Sequence, residues 1–163
     1  MKIGVMSDTH LRLPDPTLEY ILDELLAGMD MILHAGDIVT LAVVEYLADR
    51  GVIAVSGNMD EYDVTGNLPH VREIDAEDKR IGLIHGWGAR EGLERRIIER
   101  FSVPRPDVIV YGHSHVPFWG KVDGVWMFNP GSATARGYRG AGTVGVIDLA
   151  GDAIEGKHIR VER

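Results

Sequence analysis

The side chains of this chain best suited to hold a metal ion fall in five short segments: Asp8-Thr9-His10, Gly36-Asp37, Gly57-Asn58, His85-Gly86 and Gly112-His113-Ser114-His115. Successive segments, measured through His10, Asp37, Asn58, His85 and His113, lie 27, 21, 27 and 28 residues apart. That is about the length of one strand with its connection, so consecutive units of a sheet would each deliver one segment. Every segment follows an apolar run that reads as a strand. In open α/β sheets the functional crevice lies outside the carboxyl ends of the strands, so all five are expected at one rim. Asp8 and His10 are two residues apart, as are His113 and His115. In extended chain such pairs face the same side, which would let each pair reach one site. Gly36, Gly57, Gly86 and Gly112 adjoin these residues, where the backbone must turn sharply and approach closely.

Donor chemistry narrows what such a site can hold. The chain contains no cysteine, which excludes disulfides, thiolate zinc sites and a Cys nucleophile. Imidazole and carboxylate donors suit Mn, Fe, Co, Ni or Zn and disfavour Ca and Cu(I). Asp8, His10, Asp37, Asn58, His85, His113 and His115 exceed one tetrahedral site. They suit two metals sharing a carboxylate, the arrangement that clamps phosphoryl oxygens and lowers the pKa of a bound water toward about 7. The net charge of −8 argues against sequence-blind binding to nucleic acid or anionic membranes. It leaves small phosphoesters open: two divalent ions set against Asp8 and Asp37 give a positive site, and surface carboxylates beyond roughly 8 Å are largely screened at physiological salt.

The elements that must position these residues follow from the apolar pattern. The length of 163 residues fits one domain spanning residues 1–163. Met1–Met6 reads as a strand. Asp15-Pro16 opens a helix whose Leu18, Ile21, Leu22, Leu25 and Leu26 share one face, with Gly28 closing it. Met29–Leu33 is a second strand, Thr40–Asp49 a second helix, and Val52–Val55 a third strand, a β-α-β-α-β order typical of a parallel sheet. From Glu61 to Asp78 the pattern is polar and reads as a loop with one strand near Val71–Ile74. Arg80–Ile84 is a strand, Glu91–Phe101 a helix with Leu93, Ile97, Ile98 and Phe101 inward, and Val108–Tyr111 a strand. Phe118–Val122 and Val125–Phe128 flank Asp123-Gly124, a two-residue hairpin turn. Thr143–Leu149 and Ala153–Val161 complete a second part expected to be mostly antiparallel.

These motifs, in this order and spacing, resemble the calcineurin-like metallophosphoesterases, and Asn129-Pro130-Gly131-Ser132 matches the motif that follows in small members. The likeness covers nearly the whole chain. It is greatest to the small, cap-less phosphodiesterase branch related to the retromer subunit Vps29. The resemblance implies an α/β fold, a four-layer α/β/β/α sandwich of two mixed sheets with a dinuclear centre at the sheet ends. It implies that Asp8, His10, Asp37 and His115 hold one metal, that Asp37, Asn58, His85 and His113 hold the other with Asp37 bridging, and that Asp37, Asn58 and His113 are the catalytic set. Two divalent ions are expected, manganese first, with Ni, Fe, Co or Zn as alternatives. The implied reaction is hydrolysis of a small phosphoester, a diester in the first instance, by in-line attack of a metal-bridging hydroxide. The alternative is a non-catalytic, metal-binding protein-interaction scaffold of the Vps29 type.

Many relatives carry a leaving-group-protonating His directly after the metal-binding Asn. Here that position is Met59, followed by Asp60, and Met carries no proton. Trp87 stands where relatives often have another His, and could cover the site or stack on a base. Arg136, with Arg139 near it, is a candidate phosphate contact, although solvated loop arginines are the commoner case. His34 and Asp60 are candidate outer partners of the ligands; a structural histidine and a turn aspartate are the plainer alternatives. His70 and His158 read as surface residues, Trp119 and Trp126 as core or interface, and Glu94, Arg95, Arg96, Glu99 and Arg100 as a solvated helix face. No stable nucleic-acid complex and no membrane association are expected. A cytoplasmic location is expected, and a homo-oligomer remains open.

Overall fold

The computed structural model describes residues 1–134 and 141–162. Two five-stranded sheets face each other. The first is built from β1 (Lys2–Met6), β2 (Met31–His34), β3 (Ile53–Ala54), β9 (Gly142–Ala150) and β10 (Ala153–Val161), in the order β10-β9-β1-β2-β3. The second contains β4 (Val71–Ala76), β5 (Lys79–Ile84), β6 (Val108–Val110), β7 (Phe118–Val122) and β8 (Val125–Asn129), in the order β4-β5-β6-β8-β7. Strands β1, β2 and β3 run parallel, as the β-α-β-α-β pattern predicts; β9 adds antiparallel to β1, and β10 antiparallel to β9. The second part is mostly antiparallel, as expected, with one parallel core. Strands β5, β6 and β8 pair in parallel at the centre of their sheet, with β4 and β7 antiparallel at its edges.

Strand alternation builds the layers. Ile3 and Val5 of β1, Ile81 and Leu83 of β5, and Val108 and Val110 of β6 point into a core between the sheets. Residues of opposite parity point outward. Met6 meets Leu18, Ile21 and Leu22 of the first helical segment and Val43 and Leu47 of the next. Ile84 and Ile109 meet Leu93, Ile97 and Ile98. Three apolar interfaces therefore separate four layers, the α/β/β/α sandwich.

The helices follow their sequence signals. Helix α1 (Pro16–Tyr20) starts at Asp15, whose carboxylate accepts from the Thr17 and Leu18 amides at 3.0 and 2.9 Å, and continues as a π-helical turn, Ile21–Leu25. Helix α2 (Leu41–Ala48) begins after Thr40. Helix α3 (Tyr62–Asn67) occupies part of the stretch expected to be loop. Helix α4 (Leu93–Ile98) covers the second sheet. The hairpin turn at Asp123-Gly124 has both residues at positive φ, as a type I′ turn requires. Among the described residues no helix is long and apolar enough to cross a membrane.

Candidate metal centre

All five ligand segments begin within four residues of a strand end: Asp8 after β1, Asp37 after β2, Asn58 after β3, His85 after β5, and His113 and His115 after β6. Their backbone departs from the extended form. Asp8, His10, Asp37, His113 and His115 all have positive φ, between 48° and 67°. The i, i+2 pairs therefore converge by left-handed turns, and the alternation expected of extended chain does not apply to them. Non-glycine residues seldom adopt this conformation, and Asp, Asn and His tolerate it best. Strain of this kind persists only where surrounding contacts impose it. Those contacts are present: the Asp8 amide donates to the Gly36 carbonyl, the His10 amide to the Asp37 carbonyl and the Gly112 amide to the His85 carbonyl. Two glycines are required by close approach. A Cβ at Gly57 would lie 2.2 Å from Asp37 Oδ1, and one at Gly112 would lie 2.0 Å from Ser7 Oγ.

One atom each from Asp8, His10, Asp37 and His115 lies within 4.8 Å of the others. The Nε2 atoms of His10 and His115 are 3.2 Å apart, and His115 Nε2 is 3.1 Å from Asp8 Oδ1. His85 Nδ1 donates to the Ala35 carbonyl at 2.7 Å, which leaves the Nε2 lone pair for a ligand, the arrangement that fixes a metal-binding imidazole. That Nε2 is 3.3 Å from Asp37 Oδ2, off the axis of a hydrogen bond. His85 Nε2 and Asp8 Oδ1 are buried without a hydrogen-bond partner among the described residues. Buried orphans of this kind are costly unless something else satisfies them. Donors converging at this spacing match bonds of roughly 2.0–2.2 Å to one cation, so the residues fit a divalent metal.

The electrostatics agree. Burial lowers the His10 pKa despite both nearby carboxylates. Contact with Asp8 raises that of His115. For His85 burial opposes the charged form, but Asp37 and Asp8 outweigh it and raise the pKa. Burial also disfavours the Asp37 anion, yet His85 and the Met59 amide hold its pKa below the usual value. The carboxylates of Asp8 and Asp37 thus favour positive charge at this cluster.

The rest of the ligand set is arranged differently. His113 Nδ1 faces Asn58 Oδ1 at 2.9 Å and its Nε2 faces the Gly88 carbonyl at 2.8 Å, so both ring nitrogens are engaged within the protein. Asn58 is exposed and His113 only partly buried. His113 packs edge-on against His85 with ring centroids 5.4 Å apart. The structure thus brings all seven residues to one rim, four as a tight cluster and His85 against it.

Outer partners hold the loops. His34 is fully buried. Its Nδ1 accepts from the Gly36 amide, so Nε2 carries the proton toward Thr9 Oγ1, both at 3.1 Å. Burial lowers its pKa to about 3. Asp60 accepts from the Val39 amide at 2.6 Å and the Gly57 amide at 2.7 Å, tying the Asp37 loop to the Asn58 loop. His34 braces the Gly36 amide and the Thr9 hydroxyl and Asp60 braces two amides, and among the described residues neither hydrogen-bonds a candidate ligand side chain. The Asn129-Pro130-Gly131-Ser132 segment is a clamp: Asn129 Nδ2 donates to the Gly112 carbonyl and Ser114 Oγ, and Ser132 Oγ donates to the Asp8 carbonyl.

Three assignments change. Arg96 is no solvated charge; its guanidinium donates to the carbonyls of Trp87, Ala89 and Glu91 and pins the loop after His85. Glu94 accepts from the Tyr111 hydroxyl at 2.6 Å. His158, expected at the surface, stacks on Phe128 and contacts the Asn129 carbonyl through Nε2. Trp87 sits beside the rim, 41% exposed. Arg136 and Arg139 lie outside the described residues.

The family model of the calcineurin-like phosphoesterase superfamily domain matches residues 1–152. The chain belongs to that superfamily. A probable metallophosphoesterase of Methanocaldococcus jannaschii is 36% identical over 142 residues, covering 82% of this chain and 69% of that protein. A phosphodiesterase of the same organism is 30% identical, covering 91% and 93%. A solved structure of a Thermotoga maritima protein, 31% identical, superposes with TM-score 0.71 over 97% of this chain and 98% of its own. Vps29 of Entamoeba histolytica, solved in complex with Zn²⁺, shares the fold with TM-score 0.67 at 22% identity, covering 99% of this chain and 100% of its own.

Proposed function

We propose that this metallophosphoesterase is a phosphodiesterase acting on small phosphoesters at a dinuclear centre. The observation that carries the proposal is the cluster of Asp8, His10, Asp37 and His115, with Asp8 Oδ1 and His85 Nε2 buried and unpartnered beside it. Asp8, His10, Asp37 and His115 would hold one ion and Asp37, Asn58, His85 and His113 the other. When bound, such ions polarise phosphoryl oxygens and lower the pKa of a water toward about 7. Manganese is the first choice among Mn, Ni, Fe, Co and Zn, all of which these donors suit.

The chain's own residues supply the rest. Asp37 suits the bridging position because Oδ1 is fixed by the Met59 amide at 2.8 Å while Oδ2 faces His10 and His85. Asn58 and His113 lie at the open side of the cluster, where a phosphoryl oxygen would meet them. Met59, 59% exposed at the mouth, cannot protonate a leaving group, so esters with acidic leaving groups are the favoured substrates. Arg136, beyond the described residues, remains a candidate phosphate contact.

A second reading, a metal-holding interaction scaffold in the cytoplasm, draws on Leu13, Met59 and Tyr62, exposed by 69%, 59% and 88% around the Arg12–Glu61 pair. Binding of metal alone does not separate the readings. Metal analysis combined with hydrolysis of monoesters and diesters, aryl and nucleotide, with Mn, Ni, Co, Mg and Zn does. Turnover of aryl diesters above monoesters is expected. No turnover with any metal would move the assignment to the scaffold.

A further inference from the structure

Two cavities meet at Asn58. One, of about 370 Å³, is the mouth over the metal ligands, lined by His10, Asp37, Asn58, Met59, His113 and His115. The other, of about 380 Å³, lies on the side of the second sheet, with Asn58 and His85 in its lining. A phosphoryl group at the mouth would have one ester arm directed toward this second cavity. Its construction shows what that arm must be.

The floor is aliphatic. Val71 of β4 and Ile84 of β5 are cross-strand partners and both line the cavity. Three residues beyond Ile84 stands Trp87, whose indole is 41% exposed. Its loop is held by the Arg96 guanidinium on the Trp87 and Ala89 carbonyls, so the indole is presented on a fixed backbone. The register that pairs Val71 with Ile84 brings His70 opposite His85. The Nδ1 of His70 is anchored by Ser56 Oγ at 2.8 Å, leaving Nε2 as the ring's other polar nitrogen. Arg100 adds a guanidinium. An aliphatic floor, an indole and an oriented imidazole favour a flat ring with a polar edge. The cavity volume is near the lower end of the roughly 300–1,000 Å³ seen for small-molecule sites, which suits one ring system.

We infer that this cavity is the subsite for one ester arm of the substrate and that the arm is a planar aromatic ring, aryl or nucleobase, stacked on Trp87. The inference rests on the phosphodiesterase proposal and names the substrate class within it. His70 and Arg100 bind the polar edge, and the aliphatic pair excludes water beneath the ring.

The test compares phenylphosphonate with methylphosphonate by calorimetry on the Mn-loaded protein, since the two probes differ only in the ring. Phenylphosphonate is expected to bind about tenfold more tightly, the scale of one aromatic stack. Trp87→Ala should bring the ratio near one with metal content retained, and Trp87→Phe should preserve the preference. Equal affinities in the unaltered protein, or a ratio unmoved by Trp87→Ala, overturn the subsite. Hydrolysis of bis(4-nitrophenyl) phosphate is measured in parallel. Turnover without a phenyl preference removes the subsite alone. A phenyl preference without turnover removes the phosphodiesterase reading and leaves an aromatic-binding cavity.

Discussion

The two halves of the proposed metal centre are built by different means. In the half formed by Asp8, His10, Asp37 and His115 the four donor atoms lie within 4.8 Å of one another and two imidazole nitrogens are 3.2 Å apart. In the half that adds Asn58, His85 and His113, the last two engagements of His113 are with Asn58 and the Gly88 carbonyl, and Asn58 is exposed. The difference teaches that preorganisation follows burial: Asp8 and Asp37 are buried, whereas Asn58 is exposed and His113 partly so. The first half stands mainly on the ends of β1 and β2, neighbours in one sheet. The second draws His85 and His113 from the ends of β5 and β6 in the other sheet, and as a ligand His113 would exchange one of its hydrogen bonds for a ligand bond. One ion is therefore expected to bind tightly and the other more weakly.

The broadest way to break this comparison is Asp37→Ala, which removes the residue common to both halves. Both ions and hydrolysis should be lost, exceeding the 10–100-fold typical of losing an outer partner. Full metal content and activity in that variant, measured by elemental analysis and turnover, would sink the bridging role. A finer test separates the halves: calorimetric titration with Mn should show two phases, with His115→Ala erasing the tighter and His113→Ala only the weaker. If both variants lose the same phase, the halves are equivalent and the comparison fails.

Asp60→Ala severs the tether between the Asp37 and Asn58 loops. The weaker phase should fall by roughly 10–100-fold, with a smaller change in the tighter one. The mildest probe is pH, applied to metal-free protein. His34 is neutral in the folded state, with its pKa lowered by burial to about 3, against about 6.5 when unfolded. Between these values the unfolded chain binds a proton that the folded chain does not, so stability falls as pH falls, by about 1.4 kcal/mol per unit at most from this group. Urea titrations from pH 6.5 to 4.5 should show a shallower fall in His34→Gln. An unchanged slope would remove His34 as the acid-sensitive element beneath the first half.

Much of this was legible in the sequence, and the exceptions have physical causes. The five segments could be placed at one rim because each follows a short apolar run, and strand alternation then accounts for the layers. The i, i+2 spacing was informative although its geometry was not, since sequence does not show that Asp8 and His10 turn left-handed. Helix α3 escaped notice because Tyr62-Asp63-Val64-Thr65-Gly66-Asn67 has only one fully buried side chain, Val64, and carries a glycine. The parallel pairing of β5, β6 and β8 is long-range and leaves no local trace in β8, whose hairpin with β7 does. Arg96 resembles any helix-surface arginine until the chain folds back and places three carbonyls around it.

The left-handed backbone at five of the seven candidate ligands also limits which residues could ever replace them. Valine, isoleucine and threonine are strained in that conformation, whereas glycine and asparagine adopt it with the least resistance. A lineage that kept the fold and discarded the metal would therefore drift toward glycine and asparagine at positions 8, 10, 37, 113 and 115, and would gain conformational ease by doing so. This chain holds two aspartates and three histidines there, residues that combine tolerance of this backbone with a metal-binding side chain.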